Sequence, residues 1–308
     1  NRFAGYNNLP EMARLWAGIA DTVKTDEAGE VKKHIPALEG GQPTDIHLPQ
    51  TSALRSVLKY VRQRLKEFEE MTGQEKKENS HIPLTMYGIA KAAAVDARLV
   101  SASAPDDPHS KTNEAVRQTL RSLKETEKYN GTVAIFADNY QRKNKQTEKV
   151  EFNLFEDIKQ KLIKSGVPEG QIWIMNSGMT AKKKEDIFAR VNSGEIRVIM
   201  GTTPLLGVGV NIQERLHTLM HLDAPNRPMD YWQRMGRLLR QGNLHKEMNI
   251  PVRVLRFGVE DSLDVTAYQR LKTKGAIANA VMNSKSLLSN NLENRVLEEE
   301  GDEFGQIT

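Results

Sequence analysis

Short apolar segments alternate with helical segments between residues 131 and 257, and this order is the feature that most limits the fold. The apolar segments predict strands at residues 132–137, 171–175, 198–200, 216–222 and 251–257. The helical segments space their apolar residues three or four positions apart, as a helix with one buried face requires. Strands that alternate with helices pair in parallel, and the connecting helices cover the faces of the sheet. We therefore expect an α/β fold: a parallel sheet with helices on both faces.

Helical periodicity is also present on both sides of this region. It is found from Leu9 to Val23, from Leu54 to Phe68, and after Ser110, which is expected to cap a helix. Residues 24–50 lack such periodicity and are expected to form loop or extended chain. A C-terminal helix is expected to begin at Asp261 or Ser262, and one more could cover residues 287–296.

These patterns divide the chain into three expected units. They are a mainly helical N-terminal and linker region at 1–130, the sheet domain at 131–258, and a C-terminal helical extension at 259–308. A chain of 308 residues is long enough for about two structural units by the usual domain size.

Small and amide-bearing residues follow the predicted strand at 198–200. The loop contains Thr202, Thr203, Gly207, Gly209, Asn211 and Gln213. Open parallel sheets bind ligands at the carboxyl ends of their strands, where backbone amides and short side chains are accessible. Glycine-rich turns are common after strands, so this loop alone is moderate evidence for a ligand site. The arginine-rich segment that comes later in the chain strengthens that evidence.

That segment covers residues 231–243 and is predicted to be a short helix. Pro228 suits a first helical turn and Gly242 suits the position just past the end. At 3.6 residues per turn, Gln233, Arg237 and Arg240 would share one face. Two guanidinium groups can contact a polyphosphate through paired hydrogen bonds, which lysine cannot do. The alternative is a solvated basic helix face.

Both segments resemble motifs of a known family. The run TPLLGVGVNIQ at 203–213 resembles motif V of superfamily-2 helicases, and QRMGRLLRQG at 233–242 resembles motif VI. The G-x-G-x-N-x-Q form indicates the Swi/Snf-like branch. The chain is most similar to the helicase half of phage- and plasmid-associated proteins that join such a helicase to an adenine-specific DNA methylase. The resemblance covers most of residues 81–285, with supporting segments at 94–99, 221–228 and 268–274.

The resemblance implies a RecA-like fold and a role for each matching residue. Arg237 and Arg240 match the arginine fingers that reach the γ-phosphate of ATP. Residues expected to line the nucleotide site or couple it to the DNA track are Gly207, Gly209, Asn211, Gln213 and Gln233. Residues expected to contact the DNA backbone are Asn139, Ser177, Thr202 and Thr203. At Asn139 and Ser177 a plain loop is an equal alternative.

The sequence also departs from a complete helicase. A P-loop of the form G-x-x-x-x-G-K-[ST] is absent, as is a strand ending in Asp-Glu. The chain therefore carries half of an ATPase site, and ATP and Mg²⁺ are expected to be held mainly by a missing first lobe. The N-P-P-[YF] motif of adenine methylases is also absent. Together with Asn1 as the first residue, this fits a fragment of a larger protein.

Composition limits other classes of function. The absence of cysteine excludes disulfides, thiolate metal sites and a cysteine nucleophile, and the seven histidines have no metal-binding spacing, so no metal site is expected. A net charge of +4 is a mild basic bias that is too small to demonstrate DNA binding. With no long apolar run and no signal-peptide pattern, we expect no membrane association and a cytoplasmic location.

Two further side-chain assignments had structural and functional alternatives. Asp223 follows a predicted strand and could orient the arginine-rich helix or simply cap its first turn, and the structural role is the preferred interpretation. Tyr231 and Trp232 could stack on a base, but burial is the preferred interpretation for both.

The sequence is most consistent with the second lobe of an ATP-dependent DNA helicase or translocase. Its expected partners are DNA, a first RecA-like lobe and an attached methyltransferase domain. One alternative is a non-catalytic DNA-binding or regulatory scaffold beside a methylase. Another is a different nucleotide-dependent enzyme, such as a glycosyltransferase, which would need an acidic residue near 207–209 that the sequence does not offer.

Overall fold

The computed structural model describes residues 11, 12, 14–16, 33–144, 146–207 and 209–282. Its strands are β1 (Thr44–Leu48), β2 (Thr132–Phe136), β3 (Gln141–Lys143), β4 (Val150–Asn153), β5 (Ile172–Ile174), β6 (Val198–Gly201), β7 (Leu216–His221) and β8 (Arg253–Val259). Its α-helices are α1 (Ser52–Glu70), α2 (Gly73–Glu78), α3 (Ile82–Val95), α4 (Lys111–Glu125), α5 (Leu154–Lys164), α6 (Ala181–Ser193), α7 (Thr203–Leu206), α8 (Pro228–Met235), α9 (Leu244–Glu247) and α10 (Leu263–Met282). Short 3-10 helices lie at Glu39–Gly41, Ala97–Leu99, Glu127–Tyr129 and Glu169–Gln171.

Six strands form one parallel sheet in the order β1-β8-β7-β2-β6-β5. The five strands expected from the sequence are all present, with ends shifted by a few residues. Residues 141–143 and 150–153 form a separate antiparallel pair, β3 and β4, which the sequence did not indicate. The expected parallel α/β sheet is confirmed.

Alternation along β2 shows how both faces of the sheet are covered. Val133 and Ile135 belong to one apolar core, which is shared with α1, α3, α4 and α5. Ala134 and Phe136 belong to a second core, which is shared with α6 and the chain after β6. Because successive side chains of a strand point to opposite faces, these two cores lie on opposite sides of the sheet. A smaller cluster joins α8 to α10.

β1 comes from a segment that was expected to be loop or extended chain. It forms an edge of the sheet by pairing in parallel with β8, where Asp45 lies opposite Arg256. The Arg256 guanidinium is buried and donates to both carboxylate oxygens of Asp45, at 2.7 and 2.8 Å. A buried arginine on β8 thus finds its carboxylate partner 211 positions earlier in the chain.

The start of α4 agrees with the sequence pattern. The Ser110 hydroxyl accepts the amide of Asn113 at the start of α4, as expected for a cap. Among residues 9–23, the described positions 11, 12 and 14–16 are helical, and the rest of that expected helix lies outside the described residues. The helix considered at 287–296 lies entirely outside them. Within the described part of the chain, every helix is too short or too polar to cross a membrane.

Candidate functional site

The carboxyl ends of β2, β6 and β5 place the four candidate DNA contacts along one edge of the sheet. These strands are neighbours and run parallel, so the loops that follow them lie side by side. Asn139 and Thr202 are partly exposed in the loops after β2 and β6, and Ser177 is exposed after β5. Thr203 is also in this row but is only 4% exposed. The sheet therefore presents three of the four side chains to solvent on one edge.

The arginine-rich helix is shorter than expected, and this part of the prediction was wrong. Helix α8 ends at Met235, and the following residues form tight turns. The amides of Arg237 and Leu238 bond three residues back, to Arg234 and Met235, both at 3.0 Å. Arg237 and Arg240 consequently lie in turns after α8, and Gln233 lies in its last turn. The three side chains do not share the face of one regular helix.

Arg237 and Arg240 both contact the loop after β6. The half-buried Arg237 donates through Nε to the carbonyl of Gln233 at 3.2 Å and through Nη1 to the carbonyl of Val210. Burial, and secondly the neighbouring Arg240 charge, lower the pKa of Arg237. The exposed Arg240 donates to the Asn211 side-chain oxygen at 2.6 Å. The structure thus brings the motif V-like and motif VI-like segments into direct contact.

The loop residues expected at the nucleotide site occupy different environments. Gly209 and Asn211 are exposed, and Gly209 has a positive φ of 65°. Gly207 is buried, and a Cβ added to it would lie 2.6 Å from the carbonyl oxygen of Thr203. Gln213 is partly buried. Gly209 and Asn211 are therefore accessible from solvent, whereas position 207 requires glycine because the Thr203 backbone lies too close for a side chain.

A cleft of about 710 Å³ opens beside this loop. Gly209 and Asn211 line one side, and α6 lines the other with Lys184, Glu185 and Phe188. The lining is mixed in charge and polarity. Among the described residues, no three carboxylates or histidines are grouped as metal ligands, in this cleft or elsewhere.

Arg234 is the residue at this edge that the sequence analysis missed. Its side chain is fully buried although it lies between the two expected functional residues Gln233 and Arg237. Its guanidinium donates to Thr203 Oγ1 (2.9 Å), His221 Nδ1 (3.3 Å), the Asp223 carbonyl (3.0 Å), Asp138 Oδ2 (2.8 Å) and Asp223 Oδ1 (3.2 Å). The R-x-x-R pattern identified Arg237 and Arg240, whereas no periodic pattern distinguished Arg234.

Of the two roles considered for Asp223, the structure shows the orientation of α8. One carboxylate oxygen accepts from Arg234, and the other accepts the backbone amides of Asp138 and Asn139 at 2.8 and 3.0 Å. It orients α8 through Arg234 and holds the loop after β2 at the same time. It does not cap α8, whose N-cap position is Arg227.

His221 and Tyr231 pack beside this network. Because Arg234 can only donate, Nδ1 of His221 must accept, which places the imidazole proton on Nε2. Burial, followed by the charges of Arg234 and Arg256, lowers the pKa of His221 well below its ordinary value. Tyr231 stacks on His221 with ring centroids 4.9 Å apart and is 3% exposed, so it is placed for packing, as preferred from sequence.

Comparison with known proteins assigns this arrangement to a fold. The family model of the helicase conserved C-terminal domain matches residues 112–242, which extend from α4 to the end of the arginine-rich turns. The C-terminal part of the Fun30 ATPase domain has a TM-score of 0.55 at 14% identity, covering 86% of this chain and 98% of that one. The sheet has the RecA-like fold of a helicase C-terminal lobe.

A second solved structure agrees with this assignment. The SWI2/SNF2 ATPase core of Sulfolobus solfataricus, in complex with double-stranded DNA, has a TM-score of 0.51 at 16% identity. The alignment covers 83% of this chain but 50% of that core, so the chain spans about half of the core's length. No curated protein sequence matches the chain. The family model matches residues 112–242, and the two solved structures share the fold, which is that of a helicase C-terminal lobe.

Proposed function

We propose that this lobe is the second half of an ATP-dependent DNA translocase, acting against a first RecA-like lobe. The observation that carries the proposal is the contact between two segments at one corner of the lobe. Arg237 donates to the Val210 carbonyl and Arg240 to the Asn211 side-chain oxygen, next to the exposed Gly209. Two cations beside an accessible glycine backbone suit a polyphosphate.

Arg240 and Arg237 would carry out different parts of the work. Arg240 is exposed and has one side-chain hydrogen-bond partner, Asn211, among the described residues, so it can exchange this bond for a phosphate oxygen. Arg237 is held by two backbone carbonyls, which orient its guanidinium near the same loop. Arginine fingers placed on the transferring phosphoryl group stabilise its charge in the transition state and contribute roughly 10³–10⁵ in rate. Gln233 and Gly209 would complete this side of the site.

ATP and Mg²⁺ would be held mainly by the first lobe, and hydrolysis would supply the free energy for movement. The part assigned to this lobe is to follow the DNA backbone along its carboxyl edge. Asn139, Ser177 and Thr202 can each donate to a phosphate oxygen, and hydroxyl and amide side chains are common phosphate contacts. Thr203 would contribute through its position at the start of α7. An attached adenine methylase belongs to the same proposal, through the sequence resemblance.

The scaffold alternative is supported by the partners of Arg237. Both of its described hydrogen bonds stay within the lobe, to the carbonyls of Gln233 and Val210, which is also what a purely structural arginine would show. In that case the lobe would bind DNA or regulate a methylase without contributing to hydrolysis. The exposure of Arg240 favours the translocase.

The deciding experiment is ATP hydrolysis by the parent protein that contains both lobes, with and without DNA. We expect turnover that DNA stimulates, lost by roughly 10³-fold or more in Arg237→Ala and Arg240→Ala. Arg121→Ala is the matched control, because Arg121 is 61% exposed on α4 and, among the described residues, forms its ion pair with Glu125. Finger variants within about twofold of wild type would refute the assigned roles. A parent protein without turnover would favour the scaffold.

A further inference from the structure

Arg234 ties together the loops that follow three neighbouring strands. Its partners Asp138, Thr203 and Asp223 come directly after β2, β6 and β7, respectively. The loops are also bonded to each other, since Asp138 accepts the Thr203 amide at 2.8 Å. Asp223 accepts the amides of Asp138 and Asn139. One guanidinium therefore fixes the relative positions of three loops at the edge that carries the candidate DNA contacts.

The chemistry of this position requires arginine. All five N–H donors of a guanidinium lie in one plane, and here five acceptors receive them. The same guanidinium lies 5.2 Å from the ring centre of Phe136. Lysine would bring one compact charge with three donors and could satisfy only part of this set. Acceptors left without a donor in a buried site are costly, so a partial replacement would loosen the loops.

Arg234 is also mechanically linked to the proposed arginine fingers. It lies on α8 one residue after Gln233, whose carbonyl holds Arg237, and its own carbonyl accepts the Arg237 amide at 3.0 Å. Any displacement of the turn that carries Arg237 would move α8, and the buried guanidinium would carry this displacement to Asp138 and Thr203. Asp138 and Thr203 are the sequence neighbours of Asn139 and Thr202, two of the candidate DNA contacts.

We infer that Arg234 is a positioning residue that makes DNA contact at the loops after β2 and β6 depend on the state of the arginine-finger turn. It would touch neither the nucleotide nor the DNA. This inference rests on the proposed function, and it adds a specific route through which the two sites influence each other: from the turn at Arg237, through Arg234, to Asp138 and Thr203.

The test compares Arg234→Met with Arg197→Met in the parent protein. Arg197 is a matched control because it is also a buried arginine next to the sheet. It lies just before β6, at the opposite edge of the sheet, and donates to the carbonyls of Gly131 and Leu123. The DNA dissociation constant is measured with and without a non-hydrolysable ATP analogue. The ratio of the two constants measures how strongly the nucleotide changes DNA affinity. We expect this ratio to be about tenfold closer to one in Arg234→Met than in the wild type, a size typical of coupling between sites. Arg197→Met should keep the wild-type ratio.

A second variant and a second measurement separate the possible outcomes. Asp138→Asn removes the charge of a partly exposed carboxylate and so weakens its ion pair with Arg234. This variant tests the same route even when Arg234→Met fails to fold. Amide hydrogen exchange of Asp138, Asn139 and Thr203 in this chain alone should become faster in both variants, without any need for ATP. A folded Arg234→Met protein with a wild-type ratio and unchanged exchange would overturn the inference. A wild-type protein whose DNA affinity ignores the nucleotide would instead contradict the proposed function.

Discussion

Nη1 of Arg240 lies 2.6 Å from Oδ1 of Asn211, so the side chain at the end of the arginine-rich turns is held by the loop after β6. Both residues are exposed. A short hydrogen bond from a charged donor on the surface orients the guanidinium without preventing its exchange for another acceptor. Asn211 therefore supports Arg240, and we expect its removal to lower turnover through that arginine.

The first prediction is a non-additive pair. Asn211→Ala should lower DNA-stimulated ATP turnover of the parent protein by about 10-fold, less than Arg240→Ala, because the arginine remains but is oriented less well. The double variant should be no slower than Arg240→Ala by more than about twofold, since residues that act as a unit are not additive. Initial rates of the four proteins measure this directly. Additive losses would show that Asn211 acts by another route.

The second prediction concerns a buried ion pair that holds α10. Lys111 on α4 is fully buried and donates to the Leu222 carbonyl at 3.0 Å, and its ammonium lies 2.7 Å from the carboxylate of Asp264. Lys111→Met leaves Asp264 charged and without this partner, which costs about 3–5 kcal/mol of unfolding free energy for a buried pair. Urea unfolding of the chain measures the loss.

Lys66→Met is the control for that measurement. Lys66 is 77% exposed and lies 3.8 Å from Glu70 on α1, so its ion pair is screened by solvent. Its replacement should change the unfolding free energy by less than about 0.5 kcal/mol. Equal effects of the two substitutions would contradict the structural role of the Lys111–Asp264 pair.

The third prediction is a loss of stability in mild acid. Burial, and next the neighbouring His245, lower the pKa of His217 from 6.5 to about 3, and burial followed by Arg215 lowers that of His245 to about 4. The unfolded chain therefore binds more protons than the folded chain between pH 6.5 and these values. The contribution of these two histidines to the unfolding free energy should therefore be complete above about pH 6.5. It should decrease as pH falls, by up to about 1.4 kcal/mol per pH unit for each histidine.

Replacing both histidines tests this assignment. His217→Gln with His245→Gln should give a shallower dependence of unfolding free energy on pH between about 6.5 and 4. Some slope will remain, because His221 is also buried with a lowered pKa. An unchanged slope in urea titrations at pH 7, 6 and 5 would show that the two histidines are not responsible.

The fourth prediction concerns Gly207. A Cβ at this position would lie 2.6 Å from the Thr203 carbonyl oxygen, which is backbone and can move only with α7. Gly207→Ala should therefore destabilise the chain by about 1–3 kcal/mol, as overpacking typically does. Gly170→Ala is the control, because a Cβ there meets nothing within 4 Å. Thermal unfolding of both variants distinguishes a steric requirement from a general effect of removing glycine.

Much of the sheet domain could be predicted from local pattern. Apolar runs such as 132–137 and 216–222 indicate buried strands because both faces of a parallel sheet are covered, and the helices between them show a 3.6-residue period. The loop with Gly209 and Asn211 and the arginines after α8 were found from residue type and spacing. Each of these patterns involves residues close together in the sequence, so it can be recognised without knowledge of tertiary contacts.

Three features depended on the tertiary structure. The pairing of β1 with β8 joins residues more than 200 positions apart, and no local period marks a strand of five residues at residue 44. The end of α8 at Met235 depends on the turns that hold Arg237 against Val210. The burial of Arg234 depends on the three loops that the strand order places around it.

The sequence by itself determined the class of fold, five of the six strands of the parallel sheet, and the two segments that resemble helicase motifs. Only the tertiary structure decided which arginine faces solvent and which is enclosed. The physical reason is that Arg234, Arg237 and Arg240 have the same chemistry and similar spacing, whereas the burial of Arg234 depends on acceptors from the loops after β2, β6 and β7. Those acceptors become neighbours only when the sheet has formed.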